Sequence, residues 1–261
     1  MARVNLHGIP VDSVDHETTV LSTMLAQIDA QKPFLLSFVN PAAWAIARRE
    51  ADYLDILRRF DFVLPDGIGV VWALRQLENP NAGRFSFDAS SLYLPLFAAL
   101  NERRASVFVC GAGPGVADRA VERMRAEFPA ITYCGASDGY RDRTELRGMI
   151  EDAAPDVVLC GMGVPHQERF LLALQEAGYA GLMISCGGFV DQLAAAPRYY
   201  PAWIDKLELR WAWRIYREPR RLWRRYFVDY WPFILATVPT ILRRRLLGAR
   251  IQLPIERPGL R

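Results

Sequence analysis

The stretch Asp156-Val157-Val158-Leu159-Cys160-Gly161-Met162-Gly163-Val164-Pro165-His166-Gln167-Glu168 decides the fold. Its apolar run has no polar alternation, the pattern of a strand buried on both faces. A glycine turn closes the run and a helix-forming sequence follows. Five further runs share this character: FLLSFV from Phe34, DFVLP from Asp61, SVFVCG from Ser106, ITYCG from Ile131 and GLMISCGG from Gly181. Between them lie segments such as PAAWAIARREADYLDILRRF and PGVADRAVERMRAEF, whose apolar residues recur at three and four. Strands alternating with helices at this spacing predict an α/β fold, a Rossmann-like parallel sheet with helices on both faces.

The turns after the strands point to function. Asp66-Gly67-Ile68-Gly69, Gly111-Ala112-Gly113-Pro114-Gly115, Gly161-Met162-Gly163 and Gly187-Gly188 fall on one edge of such a sheet. Ligands of open α/β sheets bind beyond the carboxyl ends of the strands. There glycine admits close backbone approach, and helix N-termini offer unpaired N–H groups to phosphate. Asp66, at a strand end before a helix, suits a general base; the same position suits an N-cap. Arg84 can hold a phosphate or carboxylate bidentately, or pair with a surface acid such as Asp88. Gln167 can hydrogen-bond sugar hydroxyls, or it and Glu168 can cap the helix that they open.

A chain of 261 residues, 51% hydrophobic and 23% charged, suits one globular domain with an appendage. Cys110, Cys134, Cys160 and Cys186 lack CxxC spacing and read as reduced core residues. The first twenty residues lack the basic-then-apolar order of a secretion signal. The net charge of +3 conceals an asymmetry: Trp203 to Arg250 carries a surplus of eight positive charges, leaving −5 elsewhere. Five of the seven tryptophans also fall in that tail, which sets residues 1–200, the α/β domain, apart from 201–261, a C-terminal appendage. Arg210, Arg214, Arg217, Arg221 and Arg224 would share one helical face, except that Pro219 must kink or split the helix. The apolar segment Tyr230 to Leu242, ahead of Arg243-Arg244-Arg245, is too short to span a bilayer. Aromatic residues beside arginines describe contact with an anionic membrane surface; a helix packed on the body is the alternative. Nucleic acid is not expected as a partner, because the basic residues are confined to an apolar, aromatic segment.

The three histidines lack metal-ligand spacing, and no acidic pair of the DxD type or Walker lysine pattern occurs. The order of motifs resembles the WecG/TagA/CpsF glycosyltransferase family. The resemblance runs from about Val4 to Tyr226. It rests on Phe38-Val39-Asn40, Leu64-Pro65-Asp66-Gly67-Ile68-Gly69, Arg84 with Asp88, Gly111 to Gly115 and Asp138-Gly139-Tyr140. It continues through Gly161 to Glu168, Gly187 to Asp191, Ala196-Pro197-Arg198, Leu207 to Trp211 and Glu218-Pro219-Arg220. The resemblance implies inverting transfer of a hexose from a UDP-sugar to a polyprenyl-diphosphate-linked sugar. It implies no metal or other cofactor, and peripheral attachment at the cytoplasmic face of the inner membrane. A neutral hexose of exopolysaccharide synthesis is preferred, ahead of N-acetylmannosamine or its uronic acid; a homo-oligomer is compatible.

By the same resemblance, Asp66 is the general base and Arg84 and Gln167 assist it. Substrate would be bound by Asn40, Gly67, Asp88, Gly111, Gly113, Asp138, Gly139, Gly161, Gly163 and Asp191. Arg210, Arg214, Arg217 and Arg221 of the tail join that set. One departure is that Phe38 stands where the family usually has a threonine, with Ser37 beside it. The stretch from Arg84 to Asp88 also lacks the glycine usual before the aspartate. The competing reading is a dinucleotide-dependent oxidoreductase, for which GAGPGV is a poor fingerprint.

Overall fold

The computed structural model describes residues 2–50, 52–196 and, within 203–247, all but 205, 206, 208, 218, 225, 226 and 229. For Arg210, Trp211, Arg214, Arg217, Arg221, Leu222 and Leu247 only the backbone is described. The chain opens with β1 (Ala2–Leu6), β2 (Ile9–Ser13) and α1 (Glu17–Asp29), then β3 (Phe34–Val39), α2 (Pro41–Ala47) and α3 (Tyr53–Arg58). Next come β4 (Phe62–Pro65), α4 (Ile68–Leu77), α5 (Tyr93–Arg103), β5 (Ser106–Gly111), α6 (Val116–Glu127) and β6 (Thr132–Ser137). The domain ends with α7 (Arg143–Ala153), β7 (Val157–Gly161), α8 (His166–Glu176), β8 (Leu182–Ser185) and α9 (Phe189–Ala195). Beyond it lie α10 (Arg210–Arg217), α11 (Pro219–Arg224) and α12 (Trp231–Leu247).

Six strands form one parallel sheet in the order β4-β3-β8-β7-β5-β6, each from a run expected to be a strand. Alternate side chains supply opposite faces, and both faces are buried. Val107, Val109, Val157 and Leu159 join one core with α1, α5, α6 and α9. Phe108, Cys110, Val158 and Cys160 join the other, beneath α2, α3, α4 and α8. The exception is β6, an edge strand whose Tyr133 and Cys134 are only half-buried, so it is not covered on both faces as its apolar run implied.

One helical expectation changes and another is met. The segment from Pro41 to Phe60 forms two short helices, α2 and α3, rather than one. Pro219 splits the arginine-rich helix: α10 stops at Arg217 and Pro219 opens α11, where its missing N–H costs nothing. The position at which the appendage was expected to begin, 200/201, lies outside the described residues.

The hairpin β1–β2 has no counterpart in the run analysis. It turns at His7 and Gly8, both at positive φ (52° and 97°), and pairs Val4 with Val11. Asp12, fully buried, is held by Arg3 Nη2 at 2.6 Å and Nε at 3.1 Å, and accepts the Val63 N–H at 2.8 Å. A buried carboxylate persists when it is paired and hydrogen-bonded in this way. The hairpin thereby covers strand β4, one of the two edges of the sheet.

Helix α12 is docked on the body. Phe233, Thr237 and Ile241 point inward and are buried. Phe233 meets the rings of His7 and Trp44 edge-on, at 5.8 and 5.9 Å. Thr237 Oγ1 lies 2.9 Å from His7 Nε2, and Trp44 Nε1 donates to the His7 carbonyl at 3.1 Å. The opposite side carries Trp231, Leu235, Val238, Leu242 and Leu246, all exposed and four, three, four and four residues apart. Hence α12 combines the two readings of its sequence, one face packed and the other an apolar stripe in solvent. Among the described residues no helix is long and apolar enough to cross a membrane.

Candidate active site

Every strand of the six-stranded sheet delivers the turn at its carboxyl end to one cavity of about 1130 Å³. Asn40 follows β3, Asp66 and Gly67 follow β4, Gly113 follows β5, Gly139 follows β6, Gly161 and Gly163 lie at the end of β7, and Gly187 follows β8. Arg84, Asp88, Gln167 and Asp191 complete the expected residues that line it. Gly111 and Asp138 stand behind this surface. A side chain on Gly111 would meet the Gly161 carbonyl at 2.4 Å, so glycine there lets β5 and β7 approach. Asp138 spends one oxygen on the Tyr140 N–H, at 2.8 Å, shaping the turn that presents Gly139. The backbone of Arg210, Arg214, Arg217 and Arg221 lies in α10 and α11; their side chains are outside the described residues, as are Pro197, Arg198, Glu208 and Glu218 of the expected motifs.

Asp66 ends β4, where its N–H donates to the Val39 carbonyl at 2.8 Å. The N-cap of α4 is Gly67, not Asp66, and no side chain caps that helix. Gly67 has φ 82° and ψ 148°, a conformation that excludes other residues and turns the chain sharply after the carboxylate. Gly69 sits so close to Pro41 that an added carbon would lie 3.1 Å from Cγ, which lets α4 press against α2. Asn40 caps α2, its Oδ1 accepting the Ala42 and Ala43 N–H groups at 3.0 and 3.2 Å. Asn40 lines the cavity, as Asp66 does. Asp88 accepts the Ser90 N–H at 2.9 Å, which fixes the loop that also carries Arg84.

Gln167 lines the cavity but does not cap the helix that it opens. It is 3% exposed, and its Oε1 accepts the N–H groups of Gly163 and Gly187, each at 3.2 Å. Its Nε2 donates to Glu168 Oε1 at 2.8 Å. The side chain ties the turn after β7 to the turn after β8 and forms part of the cavity floor. Glu168 is fully buried and also accepts the Ser37 hydroxyl at 2.9 Å, while Ser185 donates to Ser37 at 2.9 Å. Ser37 therefore serves this internal network, and Phe38 takes the cavity position on β3. The Ser37 hydroxyl is engaged with Glu168 and Ser185 and is not among the groups that line the cavity.

Burial pushes the Glu168 carboxyl up to about 6, against hydrogen bonds from Gln167, the backbone, Ser37 and Ser185 that lower it. An acid whose folded pKa is raised binds its proton more tightly in the folded state. The stability this gives is full below the unfolded value near 4.5 and is lost as pH rises through about 6. Glu168→Gln removes the ionisation. Relative to wild type, the variant should gain about 1.5 kcal/mol of stability between pH 4.5 and 8. Urea unfolding at the two pH values measures it; an unchanged difference would place the titration elsewhere.

Two cations that the motifs did not single out, Arg49 and Arg143, line the same cavity as Arg84. Arg143 opens α7, with its guanidinium 5.7 Å from the centre of the Phe170 ring. Among the described residues no group of three or more His, Cys, Asp or Glu side chains is placed to hold a metal ion. The four cysteines are free thiols; Cys110, Cys160 and Cys186 are buried and Cys134 is half-buried. The cavity thus offers one carboxylate at a strand end, several arginines and a rim of turn N–H groups.

A family model described as "Glycosyl transferase WecG/TagA/CpsF family" matches residues 4–247. The chain belongs to this family. It is 31% identical over 226 residues to the N-acetylglucosaminyldiphosphoundecaprenol N-acetyl-β-D-mannosaminyltransferase of Bacillus subtilis (strain 168), covering 86% of this chain and 87% of that one. A UDP-Gal:α-D-GlcNAc-diphosphoundecaprenol β-1,4-galactosyltransferase of Shigella boydii is 27% identical, over 77% and 84% of the two chains. The N-acetylglucosaminyldiphosphoundecaprenol N-acetyl-β-D-mannosaminyltransferase of Staphylococcus aureus (strain MRSA252) is 26% identical, over 85% and 88% of the two chains. The WecG/TagA/CpsF match spans both the sheet and α12. The oxidoreductase reading finds no support in these relatives.

Proposed function

We propose that this WecG/TagA/CpsF member transfers a hexose, with inversion, from a UDP-sugar to a polyprenyl-diphosphate-linked sugar in cell-surface polysaccharide synthesis. The observation that carries the reading is the convergence of all six strand-end turns on one cavity holding Asp66 and three arginines. The named relatives use diphosphoundecaprenol-linked acceptors, which supports the lipid-linked acceptor here. The galactosyltransferase among them handles a neutral hexose, the donor class we favour, with glucose the leading candidate.

In this mechanism Asp66 takes the proton of the acceptor hydroxyl as that oxygen attacks the anomeric carbon. The bond from that carbon to the UDP oxygen breaks on the opposite face, and UDP departs with the electron pair. Arg84, Arg49 and Arg143, with the N–H groups of the glycine turns, meet the charge that develops on the diphosphate. Gln167, through Gly163 and Gly187, holds two of those turns in register. The tail arginines Arg210, Arg214, Arg217 and Arg221 are assigned to the diphosphate by the family resemblance.

The apolar stripe of α12 supports attachment to an anionic membrane, which we place at the cytoplasmic face of the inner membrane, where lipid-linked acceptor and UDP-sugar meet. Because the cations of the cavity supply the positive charge, EDTA should leave turnover within about twofold of the untreated rate. A panel of UDP-sugars with an N-acetylglucosaminyl-diphosphate lipid acceptor, run with and without EDTA, tests this. Chelation that abolishes transfer, with recovery on adding Mg²⁺ or Mn²⁺, would overturn the metal-free account.

A further inference from the structure

Helix α4 carries an anomaly beside the catalytic carboxylate. Val70, Val71, Ala73, Leu74 and Leu77 are buried, yet Ile68 is 53% and Trp72 39% exposed. The two are four residues apart and so share one face of the helix. Large apolar side chains left in water next to a site mark a surface that receives something. Ile68 also lines the cavity, two residues after Asp66, together with Ile46 and Ile234. One side of the mouth is therefore apolar, while the interior holds carboxylates and arginines.

Helix α12 runs alongside α4 in the same direction. At the cavity, Tyr230 and Ile234 share the lining with Ile68. At the far end Arg245 Nη2 donates to Gln76 Oε1 at 2.5 Å, and Arg244 stands 4.0 Å from Glu78. Between the mouth and this polar clasp, α4 offers Ile68 and Trp72. From Ile68 to Gln76 the helix rises about 12 Å, at roughly 1.5 Å per residue.

We propose that this surface is the track of the acceptor's isoprenoid chain, with Ile68 and Trp72 its contacts nearest the diphosphate. The inference rests on the lipid-linked acceptor proposed above and adds where the hydrocarbon lies. An acceptor hydroxyl at Asp66 and a diphosphate among the arginines leave the chain to exit past Ile68, the apolar side of the mouth. The track is long enough for the first isoprene units only, and the remainder continues into the bilayer that the outward stripe of α12 faces. A direct bilayer contact is the competing role for Ile68 and Trp72. Against it, Ile68 belongs to the cavity wall itself.

The test is calorimetric binding of geranylgeranyl diphosphate, below its aggregation limit, against inorganic diphosphate. On the full-length wild type the isoprenoid compound should bind at least about tenfold more tightly. Ile68→Ser and Trp72→Ser should each shrink that ratio about three- to tenfold, and Trp72→Leu, still apolar, should retain most of it. Thermal melts confirm that each variant is folded. A wild-type ratio near one, or a ratio that neither serine variant alters, would overturn the track. So would a Trp72→Ser protein that keeps the ratio but loses flotation on phosphatidylglycerol vesicles, since the side chain would then belong to the bilayer contact. If the ratio depends on these residues but no UDP-sugar is transferred to any lipid acceptor, the isoprenoid site stands and the transferase reading fails.

Discussion

Asp66→Asn should bind UDP with the affinity of the wild type and turn over 10² to 10⁴ times more slowly, roughly the range that general-base catalysis contributes. The amide keeps the size of the carboxylate but cannot accept the hydroxyl proton. The substitution keeps the Asp66 N–H bond to the Val39 carbonyl, a backbone contact, and the cap of α4, which is Gly67. Turnover at saturating donor separates the loss from any change in binding, and UDP affinity is measured by calorimetry. A variant with near-normal turnover would remove Asp66 from the chemistry. One that lost UDP binding in proportion would make it a donor ligand.

The second large effect concerns α12. Leu235 and Leu242 are 66% and 53% exposed on the outward stripe, away from the packed Phe233, Thr237 and Ile241. Burying a leucine in the membrane interface is worth about 1.5–3 kcal/mol. Replacing both by glutamate removes that gain and sets two acids against an anionic surface. Vesicle binding of the double variant should fall by roughly a hundredfold or more. UDP binding and the melting temperature should hold, because the packed face and the cavity residue Ile234 are untouched. Flotation equal to that of the wild type would mean that the stripe does not meet lipid.

The six sheet strands were legible because runs such as Val157 to Gly161 are apolar at every position, as burial on both faces requires. The β1–β2 hairpin was not, for a physical reason. Two of its residues, Arg3 and Asp12, look like surface residues in sequence, and their mutual pairing, with the Val63 N–H, allows Asp12 to be buried. The glycine turns do fall on one edge of the sheet, where they line one cavity. What each glycine does could not be read, since Gly111 spaces two strands while Gly67 turns the chain.

Gln167 shows the same limit more sharply. Its place after a glycine turn suggested a ligand contact or a cap; it lines the cavity, caps no helix, and joins N–H groups of two turns far apart in sequence. No local pattern encodes that convergence. Arg49 and Arg143 are ordinary helix-end cations in sequence, and only the topology brings them to the cavity of Asp66. Ser37 and Phe38 differ by strand parity: a step of one residue decides which side chain reaches the cavity and which joins Glu168.

The central claim is a single displacement in which Asp66 activates the acceptor hydroxyl and UDP leaves from the opposite face. The most direct test is the anomeric configuration of the new linkage, read by proton NMR on the glycolipid made from an α-linked UDP-hexose. The account predicts a β linkage. An α linkage would mean retention, which a single displacement from the opposite face cannot give, and would contradict it.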